Sequence, residues 1–183
     1  MQRCSWPNLE NSKLYQDYHD NEWGNPSYDD QHLFEMFILE SFHCGLSWLI
    51  ILKKRENFRQ AFDHFDAKKI VQYDENKINE LLLNEGIVRN KAKILATIQN
   101  ARAFLQVVDT FGSFSNYLWS FTKHQVIYEP HDGKITHNEL SNIVSKDLKK
   151  RGFKFMGTVT CFSYLEAIGI MNNHCPSCFR YQK

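Results

Sequence analysis

Cysteine and histidine residues at the two ends of the chain constrain the fold more than any other feature. Cys4 and His19 lie near the start, and His174 and Cys178 sit near its end, around the run His-Cys-Pro-Ser-Cys. Two thiolates and two imidazoles are the donor set of a tetrahedral Cys2His2 zinc site. The spacing of the last pair lets one turn of backbone present both side chains to one ion. A site using all four would tie the N-terminal segment to the C-terminal one. Four protein ligands leave no open position for water, so such a zinc is structural rather than catalytic. The alternative reading is a scatter of buried thiols and surface imidazoles. Cys175 competes with Cys178 as a ligand, and Cys44 and Cys161 read as small apolar core residues.

A chain of 183 residues, 43% hydrophobic and 14% aromatic, is expected to fold as one globular domain with a sizeable core. The opening residues lack the apolar run of a signal peptide, and the apolar stretches are too short to span a bilayer, so no membrane partner is expected. Five cysteines, an odd number, suit a cytoplasmic protein with reduced thiols. The net charge of +1 is neutral on nucleic acid. Charge placement says more. Lys53-Lys54-Arg55, Lys91 with Lys93, and Lys149-Lys150-Arg151 with Lys154 form local basic clusters, which read as solvated faces or as contacts to a phosphate partner.

Apolar periodicity predicts an all-α bundle with helices over 30–43, 47–62, 75–84, 90–106, 113–121, 141–150 and 158–171. Residues 126–136 are the loop-like or weakly strand-like exception. Residues 78–102 combine an apolar helix, a tight turn holding Gly86, and a second helix that opens on basic residues. This pattern predicts a helix-hairpin-helix. Its turn amides and second helix N-terminus would face a phosphate, with Arg89, Lys91 and Lys93 adding charge. An ordinary corner between two core helices has the same pattern.

One carboxylate lies where an apolar residue is expected. Leu33, Met36, Phe37, Glu40 and Cys44 share one helical stripe, which places Glu40 on a buried face. Burying a carboxylate is costly unless it is paired or hydrogen-bonded. Glu40 therefore pairs with a core arginine, rotates out to solvent at the helix end, or serves as a ligand acceptor in a pocket. The turn Gly45-Leu46-Ser47-Trp48 follows it. Trp6 and the run Asp17-Tyr18-His19-Asp20-Asn21-Glu22-Trp23-Gly24 precede it. Aromatics beside a carboxylate suggest a slot for a flat, hydrogen-bonding ligand such as a nucleobase, although each aromatic alone reads as core.

These residues together resemble the DNA-3-methyladenine glycosylase I family of the helix-hairpin-helix superfamily. The matching motifs are Arg3-Cys4-Ser5-Trp6, Tyr18 to Gly24, Leu33-Phe34-Glu35, Leu39-Glu40 and Gly45-Leu46-Ser47-Trp48. Further matches are Ile51-Leu52-Lys53-Lys54-Arg55, Gly86-Ile87-Val88-Arg89, Leu118-Trp119-Ser120-Phe121, residues 149–157, and the closing His174 and Cys178. They run in order along essentially the whole chain.

The resemblance implies a monofunctional enzyme, acting as a monomer on double-stranded DNA, that flips out 3-methyladenine and hydrolyses its glycosidic bond. It implies structural zinc on Cys4, His19, His174 and Cys178. It places base binding on Trp6, Tyr18, Glu40 and Trp48, with Glu40 also the catalytic candidate. DNA contacts fall on Gly45, Leu46, Gly86, Arg89 and Lys91, the Gly45-Leu46 turn being the element that fills the gap left by the flipped nucleotide. One stretch departs from the family pattern. Phe42-His43-Cys44 stands where a Gln-containing run ending in Ala is usual, which bears on base preference and not on reaction class. Rival readings are a damage sensor that flips without cleaving and a zinc-stabilised RNA-binding module.

Overall fold

The computed structural model describes residues 2–129 and 135–181. Among these, nine α-helices carry the fold: α1 (Lys13–Asn21), α2 (Asp30–His43), α3 (Trp48–Ala61), α4 (Ala67–Ile70), α5 (Glu75–Leu83), α6 (Lys91–Phe111), α7 (Phe114–Ser120), α8 (Glu139–Lys150) and α9 (Thr158–Ala167). The all-α reading holds. A minimal parallel pairing of β1 (Ile127–Tyr128) with β2 (Met171–Asn172) is the one sheet among the described residues. Residues 130–134 of the expected 126–136 loop lie outside them.

Helix α2 is the axis of the molecule. Every residue from Leu33 to Phe42 is buried, so it is surrounded rather than amphipathic. It packs against α3, α6, α7 and α9. Its start is fixed twice. The Asp29 side chain caps it by accepting from the His32 amide, and Asp30 accepts from the amides of Phe114 and Ser115 at the head of α7. The Tyr164 hydroxyl on α9 donates to the Leu33 carbonyl at 2.9 Å. These bonds aim the far end of α2, with Glu40 and His43, at one fixed place.

Four boundaries differ from the periodicity. Helix α1 carries only Tyr18 and His19 as buried residues, too few to write an apolar period. The short helix α4 also has no expected counterpart. Helix α6 runs five residues beyond its expected end at 106, to Phe111, and stops at Gly112 with φ +80°. Helix α9 ends at Ala167 rather than near 171, because Gly169 takes φ +72° and sits against the backbone of Asn25 and Pro26. The residues after it form β2 and lead His174 to the first helix.

Candidate active site and metal centre

The two ends of the chain meet. Cys4, His19, His174 and Cys178 are all buried, and their donor atoms lie within 4.8 Å of one another. Cys4 Sγ is 3.6 Å from His174 Nδ1. Cys178 Sγ is 3.5 Å from His174 Nδ1 and 3.6 Å from His19 Nε2. A sulfur and a nitrogen held tetrahedrally by one ion, at about 2.3 and 2.0–2.1 Å, stand roughly 3.6 Å apart. These three sulfur–nitrogen separations therefore match those of a tetrahedral site.

The surrounding shell fits as well. His19 turns its Nδ1 to Asp20 at 2.8 Å, and Arg3 grips Asp20 with two nitrogens. His174 turns its Nε2 to the Trp23 carbonyl at 3.3 Å. Each ring thus has its second nitrogen engaged, which orients the first toward the cluster. Burial lowers both imidazoles, His174 to about 4, and so favours the neutral form a metal binds. Cys175 is not in the set. Its sulfur meets Ser177 Oγ, while its backbone amide points at Cys4 Sγ.

Beside this cluster opens a cavity of about 450 Å³. Its walls come from widely separated segments, Ile135, Thr136, Asn173 and Cys175 among them. The N-terminal segment supplies Cys4 to Pro7, α1 supplies Tyr15 and Tyr18, the α2–α3 junction supplies Glu40, His43 and Trp48, and α9 supplies Phe162 and Glu166. Trp6, Tyr18, Glu40 and Trp48 all line it. Trp6 stands edge-on to both His19 and Trp23, at 4.9 and 4.6 Å between ring centres. The cluster thus backs the Trp6 wall. Tyr18 and Trp48 lie 5.4 Å apart across α1 and α3.

Glu40 is 3% exposed. A second carboxylate of α2, Glu35, is also buried five residues earlier, but Arg55 and Arg59 neutralise it at 2.5 and 2.8 Å. Glu40 has no arginine. Its partner is His43, whose Nδ1 lies 3.1 Å away and whose ring stands edge-on to Trp48. Burial raises the Glu40 pKa above the ordinary carboxylate value. His43 opposes the shift, and Glu166 adds to it. Two further polar atoms in this wall are buried without a partner: Trp48 Nε1, a donor, and Asn173 Oδ1, an acceptor.

Several sequence readings need correction. Cys44 is exposed rather than core, because the chain turns outward after α2 ends at His43. Each basic cluster commits one cation to contacts within the fold. Arg55 is held by Glu22 and Glu35, and Arg151 by Asp147 and the rings of Phe111 and Tyr117. Lys93, expected among the phosphate-facing charges, is 6% exposed and donates to the carbonyls of Phe42 and Cys44, both at 2.9 Å. Glu166 and Asn173 were not singled out from the sequence. Glu166 carries the same signal as Glu40, a carboxylate inside the apolar run Tyr164-Leu165-Glu166-Ala167-Ile168.

The helix-hairpin-helix is present as α5, residues 84–90 and α6. Arg89 and Lys91 are exposed on it, and Arg89 approaches Glu85 at 3.5 Å. A side chain at Gly86 would meet the side chains of Asn84 and Asn57 at about 3.0 Å, so these would have to shift to admit one. Gly45 holds φ +83° with open space around it, and Leu46 stands 38% exposed.

The sequence model for methyladenine glycosylases matches residues 6–181. DNA-3-methyladenine glycosylase 1 of Escherichia coli (strain K12) is 44% identical, the match covering 99% of this chain and 97% of that one. Among solved structures, a 3-methyladenine DNA glycosylase I superposes with a TM-score of 0.93 at 43% identity, over 99% of this chain and 100% of the other. The 3-methyladenine DNA glycosylase I of Staphylococcus aureus, solved to explain 3-methyladenine recognition, superposes with a TM-score of 0.90 at 39% identity, covering 94% and 93%.

Proposed function

This chain belongs to the methyladenine glycosylase family, and we propose that it excises 3-methyladenine from alkylated DNA by hydrolysing the bond between base and deoxyribose. The cavity carries this reading. Its described lining is aromatic, holds the carboxylates Glu40 and Glu166, and contains no lysine or arginine. Such a slot favours a flat cation. Adenine methylated at N3 within DNA is one.

An indole face attracts a cationic ring by about 0.5–2 kcal/mol. Trp48 is the stacking surface, and Tyr18 and Trp6 are the flanking walls. Glu40 supplies a hydrogen-bonding group to the base edge. A cationic guest also draws the raised Glu40 pKa back down, so charge on the carboxylate and charge on the base stabilise each other.

The chemistry needs little from the protein beyond this. Water oxygen bonds to C1′ as the C1′–N9 bond breaks, the bonding pair leaves with the base, and the water proton passes to solvent. The base departs neutral, so no strong acid is required. Glu40 is the catalytic candidate through its charge.

A base in a duplex must be extruded to reach this depth. The Gly45-Leu46 turn fills the gap it leaves. The amide-rich turn at Gly86, with Arg89 and Lys91, holds a phosphate without reading sequence. The four-residue terminal cluster holds zinc, and its task is to fix Trp6 and the segment around it. The enzyme acts as a monomer on double-stranded DNA, in the cytoplasm.

The test is base release from methylated duplex DNA, resolved by chromatography. Free 3-methyladenine with little 7-methylguanine is the expected result. Tight binding of methylated DNA with no free base would replace this reading with that of a sensor.

A further inference from the structure

Residues 152–157, between α8 and α9, present an aromatic side chain that the fold does not use. Phe153 and Met156 go into the core, whereas Phe155 remains 40% exposed. Phe155 also holds φ +55°, a left-handed conformation that is costly for a bulky residue. Such a conformation persists only where its surroundings impose it.

The surroundings do so from two sides. Asn100, fully buried on α6, accepts from the Lys154 amide at 2.7 Å and donates to the Lys154 carbonyl at 3.2 Å. The residue preceding Phe155 is thereby clamped at both of its backbone groups. On the other side Cys44 Sγ lies 4.0 Å from the Phe155 carbonyl and 3.1 Å from Thr160 Oγ1. The loop therefore abuts the turn that carries Leu46. Lys93, two helical turns before Asn100 on α6, fastens the root of that turn through Phe42 and Cys44. Two exposed apolar tips, Leu46 and Phe155, are thus held by one helix, which begins at the hairpin. Lys149, Lys150 and Lys154 stand exposed beside the second tip.

We propose that Phe155 is a second DNA-contacting tip, which stacks on a base uncovered when the duplex opens, while Leu46 fills the space of the extruded nucleotide. The proposal rests on the glycosylase reading above. An aromatic face stacks on any base, and apolar wedges are what proteins insert into opened base steps. The exposed lysines would meet the flanking phosphates. The Asn100 clamp on Lys154 keeps Phe155 in its strained conformation, with the ring exposed.

The test uses Phe155→Gly, which removes the ring and suits the positive φ, and Phe155→Asn, which tolerates that φ and is polar. Three quantities are compared with the parent protein: thermal midpoint, affinity for free 3-methyladenine by tryptophan quenching, and affinity for a duplex holding a stable abasic-site analogue. The expected result is a thermal midpoint equal or higher for Phe155→Gly and free-base affinity within about twofold. Affinity for the abasic duplex should fall about tenfold in both variants, the scale of one lost base–aromatic stack. Abasic-duplex affinity equal to the parent's in both variants would overturn the proposal, as would a parallel loss of free-base affinity, which would make Phe155 part of the pocket. A parent protein that releases no 3-methyladenine would bring down the glycosylase reading instead, and is seen before any variant is made.

Discussion

Lys93 and Asn100 stand two helical turns apart on one buried face of α6, and each fastens the backbone of a different loop. Lys93 satisfies carbonyls at the end of α2, and Asn100 clamps Lys154. Thr97, between them, spends its hydroxyl on the Lys93 carbonyl. The consequence is mechanical. The hairpin that leads into α6, the turn that carries Leu46 and the loop that carries Phe155 are referenced to one rigid rod.

Lys93→Met tests the first of these fastenings. The carbonyls of Phe42 and Cys44 would lose a cationic donor that sits at the negative end of α2. Hydrogen bonds to a charged group are worth about 1.5–3 kcal/mol, so a loss of about 2–3 kcal/mol is expected. It should appear as a lower urea midpoint with an unchanged slope. Excision should fall further than free-base binding, because the loosened element is the turn and not the aromatic walls.

Glu40→Gln separates function from stability. The folded protein holds the Glu40 pKa above its ordinary value, so the folded state binds more protons than the unfolded one in the window above that value. Stability contributed by this group is present below the unfolded carboxylate range and is lost as pH rises through the folded pKa. Replacing it with a neutral isostere should therefore stabilise the protein at pH 7–8, by about 1–2 kcal/mol or a few degrees in Tm. The gain should vanish as pH falls to about 4. Single-turnover excision should drop sharply over the same neutral range. A variant less stable than the parent at pH 8 would show that the carboxylate is satisfied where it lies.

The contrast between Glu40 and Lys93 explains what the sequence could and could not disclose. A carboxylate in an apolar helix is visible as a misfit, whatever its partners turn out to be. Lys93 is not, because lysine at the start of a helix after a basic run looks like solvated charge; its burial depends on where α2 ends, a tertiary fact. Cys44 failed for the same reason in reverse: the helical stripe assigns it to the core, but the helix stops one residue earlier. The ends of the chain were legible in their Cys and His residues, while the choice of Cys178 over Cys175 was settled by backbone direction. Helix α1 left no apolar period, since its inward face is spent on Tyr18 and His19.

Trp48→Phe keeps an aromatic face but makes it smaller and removes the N–H. In the protein that N–H is buried without a partner, so losing it spares an unsatisfied donor, while the smaller ring leaves a void; a Tm a few degrees below the parent is expected. Affinity for free 3-methyladenine should fall only about three- to tenfold, because a smaller stacking face remains. Trp48→Ala, which also removes the stacking face, should lose substantially more.

Cys178→Ser and Cys175→Ser should behave oppositely, and the pair tests the metal centre without relying on activity. The Cys178 sulfur lies within 3.6 Å of nitrogens from both histidines, whereas the Cys175 sulfur faces Ser177. Elemental analysis should find about one zinc per chain in the parent and in Cys175→Ser, and markedly less in Cys178→Ser. Metal binding that requires the folded site is folding energy. A loss of about 4 kcal/mol in a chain of this length lowers Tm by about 8–16 °C, and a chelator should produce a similar drop in the parent. Protease cleavage should then move to the segment before α1, which the cluster ties to the C-terminal residues through Cys4, with one backbone bond from the Phe179 amide to the Gln2 carbonyl beside it. Because Trp6 rests edge-on against His19, free-base affinity should fall with the metal, although no ligand of the cluster needs to touch the base.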